Sequence, residues 1–167
     1  MIFRKRTEIT LGKEEKTNVM RVLDQKKIKY TCHTYEPDAT MSGSEIAGIL
    51  GENTAYVFKT LVTVGKSGQY YVFVVPVDAE LDLKKAAKAA GEKSIDMIPQ
   101  KELLPLTGYV HGGCSPIGMK KVFPTFIHES AKSLERMFVS AGKVGFQIEL
   151  SPEDLTKVVR CRYEDII

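Results

Sequence analysis

The 167-residue chain carries 24 Lys and Arg against 21 Asp and Glu, a net charge of +3, with 43% hydrophobic and 27% charged residues. That balance supports a sizeable core, excludes wholesale disorder, and is too mild to mark a nucleic-acid binder by itself. Cys32, Cys114 and Cys161 form an odd set with no C-x-x-C, which excludes a disulfide scaffold, and no apolar run approaches the ~18–20 residues of a membrane span. A reducing, cytoplasmic setting is expected, since the charged N-terminus lacks the apolar stretch of a secretory signal. The length fits one domain, over residues 13–167, behind a loose basic arm over 1–12.

In chain order, Arg4, Lys5 and Arg6 precede any apolar periodicity. Over residues 1–29 there are nine basic and four acidic side chains; this excess suits an anionic partner, or is simply a solvated helix face. A first helix is predicted from about Lys13 to Lys26, with Thr17 or Asn18 as the cap if it starts later. Ile28–Tyr35 reads as a strand. Ser42 and Glu45 form a capping box ahead of a short helix that stops at Gly51. Two almost continuously apolar arms, Tyr56–Val64 and Gln69–Val77, flank Gly65–Gly68 as a hairpin buried on both faces. Asp82 caps an alanine-rich helix that Gly91 ends, and another short helix starts near Pro99. Beyond Thr107 glycines punctuate short strands at Val122–His128, Arg136–Ser140 and Gly145–Leu150. Ser151 and Pro152 then open a last helix. Strands that do not alternate with helices disfavour a doubly wound sheet and predict α+β, with a curved sheet or barrel and helices around it.

Lys59 interrupts an apolar strand, where an ammonium is costly unless it meets water, a partner or a ligand. It is either a cation aimed into a pocket or an edge-strand lysine that discourages aggregation. In His111-Gly-Gly-Cys-Ser-Pro116 the glycines permit close backbone approach to a ligand, and their N–H groups can form an oxyanion or phosphate nest; a plain turn is the alternative. The segment matches neither the dinucleotide nor the triphosphate glycine motif. Ser140–Gly145 is a similar stretch. No metal is expected: His111 and Cys114 have usable spacing but no second chelating pair, and Cys32 and His33 point to opposite faces of a strand. A Cys114–His128 nucleophilic pair remains open beside plain packing of both residues.

Phe58-Lys-Thr-Leu61, Leu81–Lys85, Thr107-Gly-Tyr109, Gly112–Gly118 and Val139-Ser-Ala-Gly-Lys143 occur in this order. Together they resemble the bacterial YbaK/EbsC family of Cys-tRNA(Pro)/Cys-tRNA(Cys) deacylases, from roughly Asn18 to the C-terminus. The resemblance implies a mixed, largely antiparallel barrel-like sheet surrounded by helices. It also implies trans-editing hydrolysis of mischarged Cys-tRNA(Pro), assisted by the substrate's own thiol, without cofactor or metal. Lys59, Gly112 and Gly113 become the implied catalytic groups, and Tyr35, Ser42, Thr60, Ser115, Pro116, Ser140 and Gly142 the implied substrate contacts. The implied partners are the acceptor end of an aminoacylated tRNA and prolyl-tRNA synthetase, with no membrane. Ala141 replaces a family glycine, Gln147 stands where some relatives have aspartate, and Ser42 falls near a family phenylalanine. Two alternatives follow, a deacylase for another small residue as on Ala-tRNA(Pro), and a non-catalytic tRNA- or nucleotide-binding module.

Overall fold

The computed structural model describes residues 6–7, 16–36 and 41–167. Among these described residues, nine strands and five α-helices form a mixed α+β fold. The strands are β1 (Arg6–Thr7), β2 (Thr31–Thr34), β3 (Phe58–Gly65), β4 (Tyr70–Pro76), β5 (Ile95–Met97), β6 (Thr125–His128), β7 (Met137–Ser140), β8 (Phe146–Leu150) and β9 (Cys161–Glu164). The helices are α1 (Asn18–Gln25), α2 (Gly43–Leu50), α3 (Leu83–Ala90), α4 (Leu103–Thr107) and α5 (Pro152–Val158).

Local chemistry accounts for most boundaries. The Thr17 side chain accepts from the Met20 N–H, so α1 starts at Asn18, later than the expected Lys13; Lys16 and Thr17 are already non-helical. Ser42 caps α2 by accepting from the Glu45 N–H, and Gly51 closes it at φ 68°. Asp82 accepts from the Lys84 and Lys85 N–H groups, and Gly91 ends α3 at φ 72°. The helix expected near Pro99 is a 3-10 turn over Gln100–Glu102 followed by α4. Two short strands, β5 and β9, carry no clear alternation and were not expected. The stretch Thr107–Gly118 contains no strand. Of the basic arm, Arg6 and Thr7 pair antiparallel with Thr34 and His33; the rest, with Lys13, lies outside the described residues.

The strands form a four-stranded sheet, β1-β2-β8-β7, and a five-stranded sheet, β5-β3-β4-β6-β9. Pairings are antiparallel except β4–β6 and β6–β9. A single parallel bridge, Val57 to Phe138, joins the sheets, and no closed barrel forms among the described strands. The larger core lies between the sheets: Phe58, Val62, Val72 and Val74 face Cys32, Val139, Ile148 and Leu150, with Val19, Met20 and Leu23 of α1. On the other face of β3–β4, Tyr71, Phe73 and Val75 pack against Ala86 and Ala87 of α3. This double burial is why both hairpin arms read as continuously apolar. No helix of the described residues is long and apolar enough to cross a membrane.

Candidate active site

Strand β5 pairs only with Thr63–Gly65, so the first half of β3 has an uncovered edge. A cavity of about 590 Å³ opens there, a size typical of small-molecule sites. Its wall takes Tyr35 from beyond β2, Ser42 from the start of α2, Lys59 and Thr60 from β3, His111, Gly112 and Cys114 from the loop after α4, and Ser140, Phe146 and Gln147 from the smaller sheet. Segments from Tyr35 to Gln147 therefore converge on one hollow.

Among the lining residues Lys59 is the one lysine or arginine. Its register partner is Val75, on the face covered by α3, and its side chain keeps 30% of its exposure. Its nearest acid is Glu80 at 3.8 Å, itself 96% exposed; such a long pair is screened by water and leaves the ammonium available. Asp78 is held below the usual carboxylate range by hydrogen bonds from Ser44 and Thr54, with the Lys59 charge a smaller contribution in the same direction.

Two polar side-chain atoms of the wall, Thr60 Oγ1 and Gln147 Oε1, are buried without a hydrogen bond among the described residues. Leaving such atoms unmet costs about 1–3 kcal/mol each, a penalty that a bound ligand removes. Tyr35 is buried at the rim, and burial raises its hydroxyl pKa while a hydrogen bond with the Gly145 backbone opposes the shift. The Ser140 hydroxyl accepts weakly from the Gly142 N–H at 3.4 Å. Ser42 is both cavity wall and helix cap.

The glycine loop divides. Gly112 lines the cavity at φ 86°, and its N–H has no acceptor among the described residues. The Gly113 N–H is donated to the Val110 carbonyl at 3.0 Å, so it is not free to receive an oxyanion. A Cβ on Gly113 would lie 3.1 Å from the Val144 nitrogen and 3.2 Å from Lys143 backbone atoms, so its role is close packing of two loops. Ser115 is fully buried and accepts from the Ile117 N–H, closing a turn. Neither Ser115, Pro116 nor Gly142 reaches the cavity wall; Gly142 instead packs on Val19 and Tyr109. These four expected site residues shape the loops behind the site.

Among the described residues no cysteine is hydrogen-bonded to a histidine ring as a nucleophile–base pair would be. Burial pushes the Cys114 thiol up to about 12, which keeps it protonated near neutrality. His128 is absent from the cavity wall; its Nδ1 meets the Ser130 hydroxyl and its Nε2 lies 3.6 Å from Asp165. Among the described residues, His128, Glu129 and Asp165 are the one group with metal-ligand proximity, away from the cavity, and Asp165 is already engaged by Lys85. Sequence reasoning missed the apolar wall, Met41, Ile46, Val77, Met97 and Leu103. The polar wall residue Gln147 carried its own signal, an amide between Phe146 and Ile148.

The model of the aminoacyl-tRNA editing domain matches residues 36–158, which span every wall element except Tyr35. The chain belongs to the aminoacyl-tRNA editing domain family. EbsC of Enterococcus faecalis, named for a proposed Cys-tRNA(Pro)/Cys-tRNA(Cys) deacylase activity, is 44% identical over 154 residues, 92% of this chain and 94% of EbsC. A proline–tRNA ligase of Shouchella clausii is 29% identical over 102 residues, which are 61% of this editing-domain chain and 18% of the ligase. A crystal structure described as a proposed trans-editing enzyme for prolyl tRNA synthetase superposes with a TM-score of 0.76 at 25% identity, covering 89% of this chain and 94% of that one. The YbaK/EbsC resemblance of the lysine and glycine-loop motifs agrees with these relatives.

Proposed function

We propose that the chain is a trans-editing deacylase that hydrolyses the ester of mischarged Cys-tRNA(Pro), and of Cys-tRNA(Cys), in the cytoplasm. The observation that carries this reading is a cavity in which an available ammonium, Lys59, shares walls with the unspent Gly112 N–H and two orphaned polar atoms. The name of EbsC supports the substrate. Residues 13–167 then act as the catalytic domain and 1–12 as a basic arm.

An aminoacyl ester is already activated, so catalysis reduces to positioning and to stabilising negative charge on the carbonyl oxygen. Lys59 anchors the terminal adenosine and ester, Gly112 donates its N–H to the developing oxyanion, and Gln147 Oε1 accepts from the substrate's ammonium. With Cys114 held protonated and without a hydrogen bond to a histidine among the described residues, the attacking group is the substrate's own thiol. Its sulfur bonds to the carbonyl carbon, the ester C–O bond breaks, and the thiol proton ends on the released tRNA hydroxyl. Water then opens the cyclic thioester to free cysteine. A modest basic surface gives a salt-sensitive grip on tRNA, which a prolyl-tRNA synthetase partner would strengthen by raising effective concentration; the likeness to proline–tRNA ligase supports that partner.

The experiment is a panel of Cys-tRNA(Pro), Ser-tRNA(Pro) and Ala-tRNA(Pro) with wild type and Lys59→Ala. Rapid turnover of the cysteinyl ester alone, lost in Lys59→Ala, is the expected result. Rapid Ser-tRNA(Pro) hydrolysis replaces thiol attack by activated water, preference for Ala-tRNA(Pro) changes the substrate, and binding without turnover leaves a tRNA-binding module.

A further inference from the structure

The 590 Å³ cavity suits a single aminoacyl-nucleoside and little more. The strand that carries the nucleoside must leave through the mouth, with its first phosphodiesters just outside. One cation outside the cavity lies against a ring of its wall and has no role in the chemistry above. Lys143 sits in the loop joining β7 to β8, exposed, with its Nζ 5.3 Å from the centroid of the Phe146 ring, and that ring lines the cavity. The loop is anchored. The Ala141 N–H donates to the Phe146 carbonyl and the Phe146 N–H to the Lys143 carbonyl, both at 3.1 Å. The Lys143 backbone also presses against Gly113, the neighbour of the cavity residue Gly112.

Like most lysines of the described residues, Lys143 has no carboxylate within 4.0 Å; what separates it from them is a ring of the cavity wall beneath its ammonium. Contact with an aromatic face holds the ammonium in place without neutralising it.

We infer that Lys143 is a phosphate contact for the single-stranded 3′ end of the substrate RNA, holding the strand as it enters the cavity beside Phe146. This rests on the proposed function for the identity of the RNA but not for the contact itself. Lysine suits the task, because a flexible point charge follows a phosphate without reading the base.

The test is titration of a short single-stranded RNA ending in CCA, followed by fluorescence anisotropy over a range of salt, so that binding is read apart from catalysis. Lys143→Ala is expected to weaken binding about tenfold and to make the slope of log affinity against log salt shallower by about 0.7. Lys143→Arg should keep both values near wild type. Lys66→Ala, at the far turn of the β3–β4 hairpin, serves as the charge-matched control and should change neither. With aminoacyl-tRNA as substrate, Lys143→Ala should raise KM while kcat holds. A Lys143→Ala protein that binds the RNA like wild type overturns the inference, as does wild type that fails to bind it. Lys143-dependent RNA binding by a wild type that hydrolyses no aminoacyl-tRNA keeps the contact and overturns only the deacylase reading.

Discussion

Thr60 and Gln147 carry buried oxygens that no group among the described residues satisfies, and a fold optimised for stability alone would not retain them. Thr60→Val keeps the side-chain shape and removes the orphaned hydroxyl, so it should raise stability by about 1 kcal/mol while deacylation falls. A urea denaturation midpoint beside a turnover rate checks both halves, and a destabilised, fully active variant would contradict the account. Cys114 stands in the opposite position, with a thiol held near 12 by burial. Its thiolate fraction at pH 8 is about one in ten thousand, one decade per pH unit, so alkylation by iodoacetamide should be slow, and Cys114→Ala should stay within a few-fold of wild-type activity. Gly142 shows why a motif position need not touch substrate. It sits at φ 90° with a Cβ position 2.9 Å from Val19 Cγ2, so Gly142→Ala should cost about 1–3 kcal/mol, read by thermal melting.

At the level of elements, capping explains why the short helices exist at all. Helix α3 is eight residues long, too short to be stable alone, and combines alanine propensity with two N–H groups accepted by Asp82. Asp82→Ala should lower stability by about 1 kcal/mol, read as a lower urea denaturation midpoint. The capping signals at Ser42, Asp82 and Ser151 and the closing glycines at 51 and 91 were legible because they act within four residues. The strands β5 and β9 were not. Each is three or four residues long and half exposed, and each exists because β3 or β6 offers an open edge, which no local pattern records.

Across the whole molecule, the sheet of β1, β2, β8 and β7 is tied by one polar cluster. Glu149 accepts from Arg136 Nε at 2.8 Å and pairs with His33 Nε2 at 2.8 Å. Partial burial is the largest single influence on its carboxyl and raises the pKa, but the bonds from His33 and Arg136 together outweigh it and leave the net shift downward. A carboxyl whose folded pKa lies below its unfolded value stabilises the protein above that unfolded value, about 4.3, and loses the contribution as pH falls through the folded one. Stability should therefore decline below about pH 4.3, and Glu149→Gln should flatten that part of the profile in chemical denaturation at stepped pH.

By itself the sequence determined the α+β class, the buried central hairpin, the ends of α2 and α3, the start of α5, and the prominence of Lys59 and Gly112, because hydrophobic period, capping and glycine chemistry act over a few neighbouring residues. The tertiary structure decided which motif residues share a cavity. Lys59, Thr60, Gly112, Ser140 and Gln147 meet only because the edge of β3 is left open beside the second sheet. Gly113, Ser115, Pro116 and Gly142 instead have their backbone or side chains committed to packing and turns behind it. That division depends on contacts between segments far apart along the chain, and those are set by how two sheets pack rather than by any local pattern.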